Sequence, residues 1–131
     1  MVRTISMEGL DIFIDGPVIE MRTHGIRRAD SNRDSTRLFA MVRTDEIKGV
    51  IFDGRDAIYQ LSPVELEERC RLVARMCQGR TVAYVAKPEQ DDQVKQVVIV
   101  HQEMGSECQV FRSKAKARLW MDEIISACEV E

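Results

Sequence analysis

A strand–helix–strand unit in residues 47–86 constrains the fold of this chain more than any other feature. It opens with a short apolar run, residues 47–52, and closes with a second one, residues 81–86. Between the two runs, Ser62-Pro63-Val64-Glu65 is typical of a helix start and Gly79 of a helix end. Two strands joined by such a helix run parallel, and the connection is almost always right-handed. The unit therefore predicts an α/β domain.

Two further strands are predicted before this unit. Residues 10–14 partly alternate between apolar and polar side chains, and residues 18–23 follow after the turn signal Asp15-Gly16-Pro17, so the two strands form a predicted hairpin. A helix is then predicted up to about Arg43, with Asp30, Ser31 or Asn32 as its cap. Three apolar side chains at helical spacing would face the core: Leu38, Phe39 and Val42.

The segment after the unit is ambiguous between helix and strand. Residues 97–100 have the β-branched composition of a strand, whereas a helical face is formed by Val94, Val97, Val98, His101 and Met104. We expect a helix, because the alternation of strands and helices requires one here. Residues 108–112 form the last predicted strand. Ser113 caps a final helix with the apolar face Ala117, Trp120, Met121, Ile124 and Cys128.

The predicted order is β-β-α-β-α-β-α-β-α, with a mixed sheet of four to five strands and three to four helices in a single domain of residues 1–131. The net charge of −3 gives no general attraction to nucleic acid or anionic membranes. No run approaches the ~20 apolar residues of a membrane span, and residues 1–6 lack the apolar core of a secretory signal. We therefore expect a cytoplasmic protein that neither binds nucleic acid nor spans a membrane.

The four cysteines agree with that location. Cys70 and Cys77 are seven residues apart on one predicted helix, or about 10 Å, which is too far for a disulfide. No CxxC motif indicates a redox pair or a zinc site. We expect all four cysteines to be small buried apolar side chains.

No catalytic motif is complete in this sequence. Asp53-Gly54 follows an apolar strand as in haloacid-dehalogenase-type phosphatases, but Arg55 stands where that chemistry needs a second carboxylate. Asp53 and Asp56 can be interpreted as an acid–base pair, or as carboxylates that pair with a neighbour such as Arg55. The two histidines lack the pattern of a metal site or triad, and no glycine-rich phosphate loop occurs. We predict neither an enzyme nor a cofactor.

The last predicted helix begins with an unusual concentration of cations. Positive charges there oppose the helix dipole, whereas the backbone amides and the cations together would suit an anion. The residues concerned are Arg112, Ser113, Lys114 and Lys116. A second basic cluster comprises Arg27, Arg28, Arg33 and Arg37. We expect one of the two clusters to mark the surface for an anionic ligand or partner, while a solvated charged face is the alternative.

Three blocks of sequence carry a resemblance to a known family. They are Val50-Ile51-Phe52-Asp53, the strand Arg80-Thr81-Val82-Ala83-Tyr84-Val85, and residues 110–121, in which Val-Phe, a polar turn and a helix with Ala and Trp follow one another. From about residue 11 to residue 121, the chain resembles the SpoIIAA-like, or STAS-like, family. The resemblance implies one STAS-like domain with helices packed on a mixed sheet.

The family also bears on Ser62. In bacterial anti-sigma-factor antagonists of this fold, a partner kinase phosphorylates a serine in an Asp-Ser-Ser-Gly motif. The corresponding positions here are Leu61, Ser62, Pro63 and Val64, so we interpret Ser62 as a helix cap. The chain is most similar to a branch that lacks this motif and is likened to lipid-carrying CRAL-TRIO domains. That likeness implies an apolar or amphiphilic ligand between the sheet and the helices.

We predict a non-enzymatic regulatory or interaction module of SpoIIAA or STAS type that binds a protein partner or a small ligand. A protein partner would contact the surface near Asp53, Arg55, Asp56 and Ser62. The alternative is a carrier of a small amphiphilic or anionic ligand, which would have a closed apolar pocket. Exposed sheet edges also allow a homodimer.

Overall fold

A six-stranded mixed sheet forms the centre of the protein. The computed structural model describes residues 2–28 and 40–129. The first three strands form an antiparallel meander, and the third to sixth strands run parallel. The strands lie side by side in chain order: β1 (Val2–Met7), β2 (Leu10–Asp15), β3 (Val18–Arg27), β4 (Gly49–Tyr59), β5 (Thr81–Val85) and β6 (Cys108–Phe111).

Helices connect and cover the parallel strands. Helix α1 (Pro63–Met76) joins β4 to β5, and α2 (Asp91–Glu103), preceded by a short 3-10 helix (Pro88–Gln90), joins β5 to β6. Helix α3 (Lys114–Glu129) follows β6, and residues 40–42 before β4 are also helical. The crossovers all step in the same direction across the sheet, so right-handed connections place α1 and α2 on one face. The opposite face is covered by α3.

The core is divided between these two faces. Under α1 and α2 lies a cluster that comprises Leu10, Ile12, Ile19, Met21, Val42, Ile47, Val50, Cys77, Val82 and Cys108. Under α3 lies a second cluster, formed by Val18, Ile51, Ala83, Val85, Ala117, Met121 and Ile125. Neighbouring residues of one strand, such as Val50 and Ile51, belong to different clusters because successive side chains of a strand point to opposite faces. Both faces of the central strands are therefore apolar.

The prediction of four to five strands is wrong, since the sheet has six. The additional strand, β1, forms an edge and pairs antiparallel with β2, with Met7 opposite Leu10. Ile5 and Met7 are the partly buried side chains of β1 that pack against the core. An edge strand with so little buried surface leaves no clear apolar pattern in the sequence.

Strand β4 is also longer than predicted. The sequence indicates that the chain leaves the strand at Asp53, yet β4 continues to Tyr59 beside β3. The register shifts between Arg22 and His24, so two residues of β4 lie opposite Thr23 in a bulge. The polar residues in this part of β4 form ion pairs instead of core contacts, which is why the sequence resembles a loop.

The predicted helices after β4 are confirmed. The amide of Glu65 donates to Ser62 Oγ at 3.1 Å and the amide of Ser62 donates to Glu65 Oε1 at 2.9 Å, which completes the capping box of α1. Residues 94–100, which have strand composition, are helical within α2. The predicted caps of the first helix and its residues Leu38 and Phe39 lie outside the described residues, whereas Val42 is buried.

Three of the four cysteines are buried as predicted, but Cys128 is exposed. Cys128 lies on the same face of α3 as the buried residues Ala117, Met121 and Ile125, but it belongs to the last turn of the helix, beyond the last of them. Burial raises the pKa of Cys77 to about 12 and keeps its thiol neutral.

Within residues 2–28 and 40–129, no helix combines the length and the apolarity that crossing a bilayer requires.

Candidate functional site

A pocket of about 90 Å³ lies between the sheet and helices α1 and α2. It opens near the carboxyl ends of β4 and β5, the edge at which open α/β sheets usually bind ligands. The sheet contributes Thr23, Phe52, Gly54, Tyr59, Tyr84, Val85 and Ala86 to its lining. The helical side contributes Leu66, Arg69, Cys70, Val73, Gln90, Gln93, Val94 and Val97.

The walls of the pocket are the apolar faces of the two helices. Leu66, Cys70 and Val73 recur at the spacing of one face of α1, and Val94 and Val97 do so on α2. The helices themselves meet through a small cluster that contains Cys70, Ala74 and Val100. Cys70 is buried, whereas the other wall residues are only partly buried, and Leu66 and Val97 also pack against this cluster.

Aromatic rings form the floor. The rings of Phe52 and Tyr84 are stacked, with centroids 4.9 Å apart and planes 18° apart. These residues are paired on β4 and β5, so the sheet register itself brings the rings together. Burial raises the pKa of Tyr84 well above its usual value, so its hydroxyl is protonated. The floor is therefore apolar and uncharged.

Behind the floor, Tyr84 is held by a buried histidine. Tyr84 Oη lies 2.8 Å from His101 Nε2, and the His101 side chain is completely buried. Burial lowers the pKa of His101 to about 4, so the imidazole is neutral near pH 7. His101 Nδ1 has no hydrogen-bond partner in the part of the chain that the structure describes. The pair thus fixes the Tyr84 ring without placing a charge beneath the pocket.

Polar groups surround the mouth. The hydroxyls of Thr23 and Tyr59 lie 3.1 Å apart, and the guanidinium carbon of Arg69 lies 5.2 Å from the centre of the Tyr59 ring. Gln90 Nε2 donates to the carbonyl of Gly54 at 2.8 Å, which connects the start of α2 to the bulge of β4. A Cβ on Gly54 would lie 3.1 Å from Tyr59 Oη, so glycine gives the hydroxyl room at the mouth.

The predicted site residues of β4 lie next to the pocket but do not line it. Asp53 is buried and accepts hydrogen bonds from Arg55 Nε and Nη2, each at 2.9 Å. Asp56 accepts from Arg22 Nη2 at 2.9 Å, and this hydrogen bond lowers the pKa of Asp56. The structure therefore places these three residues in ion pairs, of which Arg55–Asp53 lies within β4 and Arg22–Asp56 joins β3 to β4. Ser62 is occupied as the cap of α1.

The cations at the start of α3 face carboxylates from other elements. Arg112 donates to Asp91 at 2.7 Å and to the carbonyl of Ala86 at 3.0 Å. Lys114 lies 3.6 Å from a carboxylate oxygen of Glu20 on β3. Ser113 Oγ accepts from the amide of Lys116 at 3.2 Å, as a helix cap does, and the Lys116 side chain is exposed. The structure does not bring this group together with the pocket.

Of the second basic cluster, the structure describes Arg27 and Arg28. Arg27 is buried at the end of β3, and its Nη1 donates to the carbonyl of Glu8 at 3.4 Å. Arg33 and Arg37 lie outside the described residues.

Among the described residues, no group of three or more His, Cys, Asp or Glu side chains is arranged to hold a metal ion.

The sequence interpretation missed the polar residues of the mouth: Thr23, Tyr59, Arg69, Gln90 and Gln93. A signal existed for one of them, because Arg69 stands beside the apolar residues Leu66, Cys70 and Val73, which recur at helical spacing. Tyr59 and Thr23 carried no such signal. They come together only through the extended β3–β4 pairing, which the sequence did not reveal.

The sequence matches no protein-family model and no curated protein. Among solved structures, the chain is similar to the crystal structure of an uncharacterized protein of the DUF3478 family, with a SpoIIAA-like fold, from Shewanella loihica PV-4. The TM-score is 0.59 at 15% sequence identity, and the match covers 92% of each chain. This similarity, together with the mixed sheet and its helices, shows that the chain has a SpoIIAA-like, or STAS-like, fold.

Proposed function

We propose that this protein is a non-enzymatic binding module of STAS type whose pocket holds a small amphiphilic ligand. The observation that carries the proposal is the pocket between the sheet and α1 and α2, with an aromatic floor, apolar walls and a polar mouth. Ligand sites in proteins commonly combine apolar walls with a few polar groups that orient the ligand. This site has that composition.

The size of the pocket limits the ligand. The volume of the pocket is about 90 Å³. It is smaller than the ~150 Å³ cavity that holds benzene in a protein core. A short aliphatic chain fits this space with its head group at the mouth, whereas the tail of a long lipid does not.

The character of the buried polar groups supports a binding role over a catalytic one. Tyr84 is protonated and hydrogen-bonded to His101, and the imidazole is neutral and lies behind the floor. General acid–base catalysis works best with a group whose pKa lies near the working pH. Burial moves both groups away from that range.

Fluorine NMR tests the proposal with pentanol that carries a terminal trifluoromethyl group. We expect the probe to bind the wild-type protein and to be excluded by Val97→Phe, which fills the pocket from α2. The matched control is Ile99→Phe on the same helix, where the side chain is 49% exposed and outside the lining. Equal binding to wild type and Val97→Phe would contradict the proposal.

A protein-binding role is the second candidate, and one observation favours it. Ile26 and Ile58 are paired across β3 and β4, and their side chains are 52% and 61% exposed. Ile58 lies in the stretch from Asp53 to Ser62 that the sequence suggested for a partner. Ile58→Lys would abolish partner binding or self-association, measured by light scattering and by capture of a defined partner, while pentanol binding would remain.

A further inference from the structure

We propose that Gln90 is a latch at the mouth of this pocket, so that a ligand enters when the Gln90 side chain rotates away from β4. The inference rests on the proposed function of the same pocket and adds how access to it is controlled. Its basis is the position of Gln90, which lines the pocket, is half-buried and bonds to the opposite side of the mouth.

Strand β4 extends beyond its neighbour at the point where the pocket opens. The pairing of β4 with β5 ends at Asp53 and Val85, whereas β4 continues to Tyr59. In the part of the chain that the structure describes, no strand pairs with this last part of β4 on the side of β5. The backbone carbonyls on that side therefore need another donor.

The side chain of Gln90 supplies that donor. Gln90 Nε2 donates to the carbonyl of Gly54 at 2.8 Å and lies 3.5 Å from the carbonyl of Ala57. On the other side of the same amide group, Gln90 Oε1 accepts from the backbone amide of Lys87 at 2.9 Å. One side chain thus crosses the mouth from the start of α2 to β4. Because residue 54 is glycine, it adds no side chain of its own to this crossing.

The backbone on both sides of Gln90 is anchored from another direction. Arg112 Nη1 donates to the carbonyl of Ala86 at 3.0 Å, and Arg112 Nη2 donates to Asp91 at 2.7 Å. The turn that carries Gln90 can therefore stay in place while the side chain rotates. Since water replaces the broken hydrogen bonds, the open state costs little and would form a minor population of roughly 0.1–10%.

The latch has a reporter that needs no ligand. Cys70 lines the pocket and is only 3% exposed, so a small thiol reagent would reach it through the open mouth. Cys77 and Cys108 are buried as well but do not line the pocket, so they report a general loosening of the core. Labelling with methyl methanethiosulfonate, followed for each cysteine by mass spectrometry, measures the three rates.

Two methionine substitutions separate the latch from a general effect of mutation. Gln90→Met keeps the length of the side chain but removes its hydrogen bonds, and should raise the labelling rate of Cys70 about tenfold, as the loss of one hydrogen bond would. Gln93→Met makes the same change at a nearby lining residue and should leave that rate unchanged, because Gln90 and not Gln93 bonds to Gly54.

The labelling rates also define the results that would overturn the latch. Equal labelling of Cys70 in wild type and Gln90→Met would do so, and so would equal acceleration by Gln90→Met and Gln93→Met. A parallel rise at Cys77 and Cys108 would also overturn it, because Gln90 would then stabilise the fold and not close the mouth.

Fluorine NMR with the trifluoromethyl-terminated pentanol connects the latch to binding. In Gln90→Met the association and dissociation rates should both rise about tenfold while the affinity stays the same, because the latch limits passage and not the bound complex. If the probe binds wild type and Gln90→Met with the same rates, the latch is refuted and the proposed function stands. If the probe binds neither protein but Cys70 alone is labelled faster in Gln90→Met, the proposed function fails and the latch is supported.

Discussion

The two faces of the sheet are covered in different ways. On one face, α3 packs alone against the sheet, and its side chains Ala117 and Met121 are completely buried. Gly49 of β4 lies so close to this helix that a Cβ on it would overlap Met121 Sδ. On the other face, α1 and α2 share the roof and leave half-buried Leu66 and Val97 around a pocket. The single helix packs tightly on the strands beneath it, whereas two helices that also pack against each other leave space at the sheet. The pocket therefore belongs to the two-helix face.

The strongest test of this difference is to remove side chains on each face. Met121→Ala should lower the free energy of unfolding by about 2–5 kcal/mol, because the fully buried side chain leaves a cavity. Val97→Ala on the pocket wall should lower it by only about 1 kcal/mol, since that side chain already borders open space. Urea denaturation of both variants measures the two values. Losses of similar size would refute the proposed difference in packing.

The buried histidine of the pocket face predicts a pH dependence. Its pKa is about 4 in the folded protein and about 6.5 when unfolded, so the unfolded chain binds more protons between these values. The contribution of His101 to stability is complete above pH 6.5 and is lost as the pH falls toward 4. The total loss would be roughly 3 kcal/mol.

Urea denaturation between these pH values, on wild type and on His101→Gln, measures this contribution. The pH dependence should become shallower in His101→Gln and should persist in His24→Gln, in which the half-exposed histidine near Asp11 is replaced. An unchanged slope in His101→Gln would contradict a neutral, buried imidazole in the folded state.

Two glycines of β4 compare the faces at smaller scale. Gly49→Ala should lower the free energy of unfolding by about 1–3 kcal/mol, because the new Cβ overlaps Met121. Gly54→Ala should lower it by less than about 1 kcal/mol, because the contacted atom is the end of the Tyr59 side chain. Gly54→Ala should instead weaken binding of the pentanol probe, because Gly54 and Tyr59 both line the pocket. Thermal unfolding and fluorine NMR provide the two measurements, and a more destabilising Gly54→Ala would contradict the comparison.

The smallest expected effect concerns the cap of α1. Ser62→Ala should lower the free energy of unfolding by ~1 kcal/mol through the lost hydrogen bond to the amide of Glu65. Ser126→Ala, an exposed substitution inside α3, is the control and should change stability by less than about 0.5 kcal/mol. Chemical denaturation measures both. A normal stability of Ser62→Ala together with lost partner binding would contradict the capping role and favour a functional one.

Most helices and the parallel strands were predictable because their signals are local. The capping box at Ser62 and Glu65, the stop at Gly79 and the apolar runs around Val50 and Val82 each lie within a few residues. The strand composition of residues 97–100 was misleading by itself, and the helix was expected from the alternation of elements. Edge strand β1 was missed because an edge needs only a few buried side chains.

The candidate site was less accessible to prediction. Asp53, Arg55 and Asp56 stood out as polar residues after a strand, but they are ion-paired along an extended β4. The mouth of the pocket depends on residues separated by about half of the chain, such as Thr23 and Gln90. The β3–β4 bulge and the hydrogen bond from Gln90 to Gly54 bring them together.

The sequence by itself determined the α/β class, the order of the central elements and their apolar faces, because periodicity and capping act over one or two helical turns. The tertiary structure alone decided that β3 and β4 continue side by side to Tyr59, that α1 and α2 leave a pocket, and that Arg69 lies over the ring of Tyr59. The reason is that strand pairing and helix packing join residues far apart in sequence. Such contacts depend on the shapes of both partners, which no local pattern encodes.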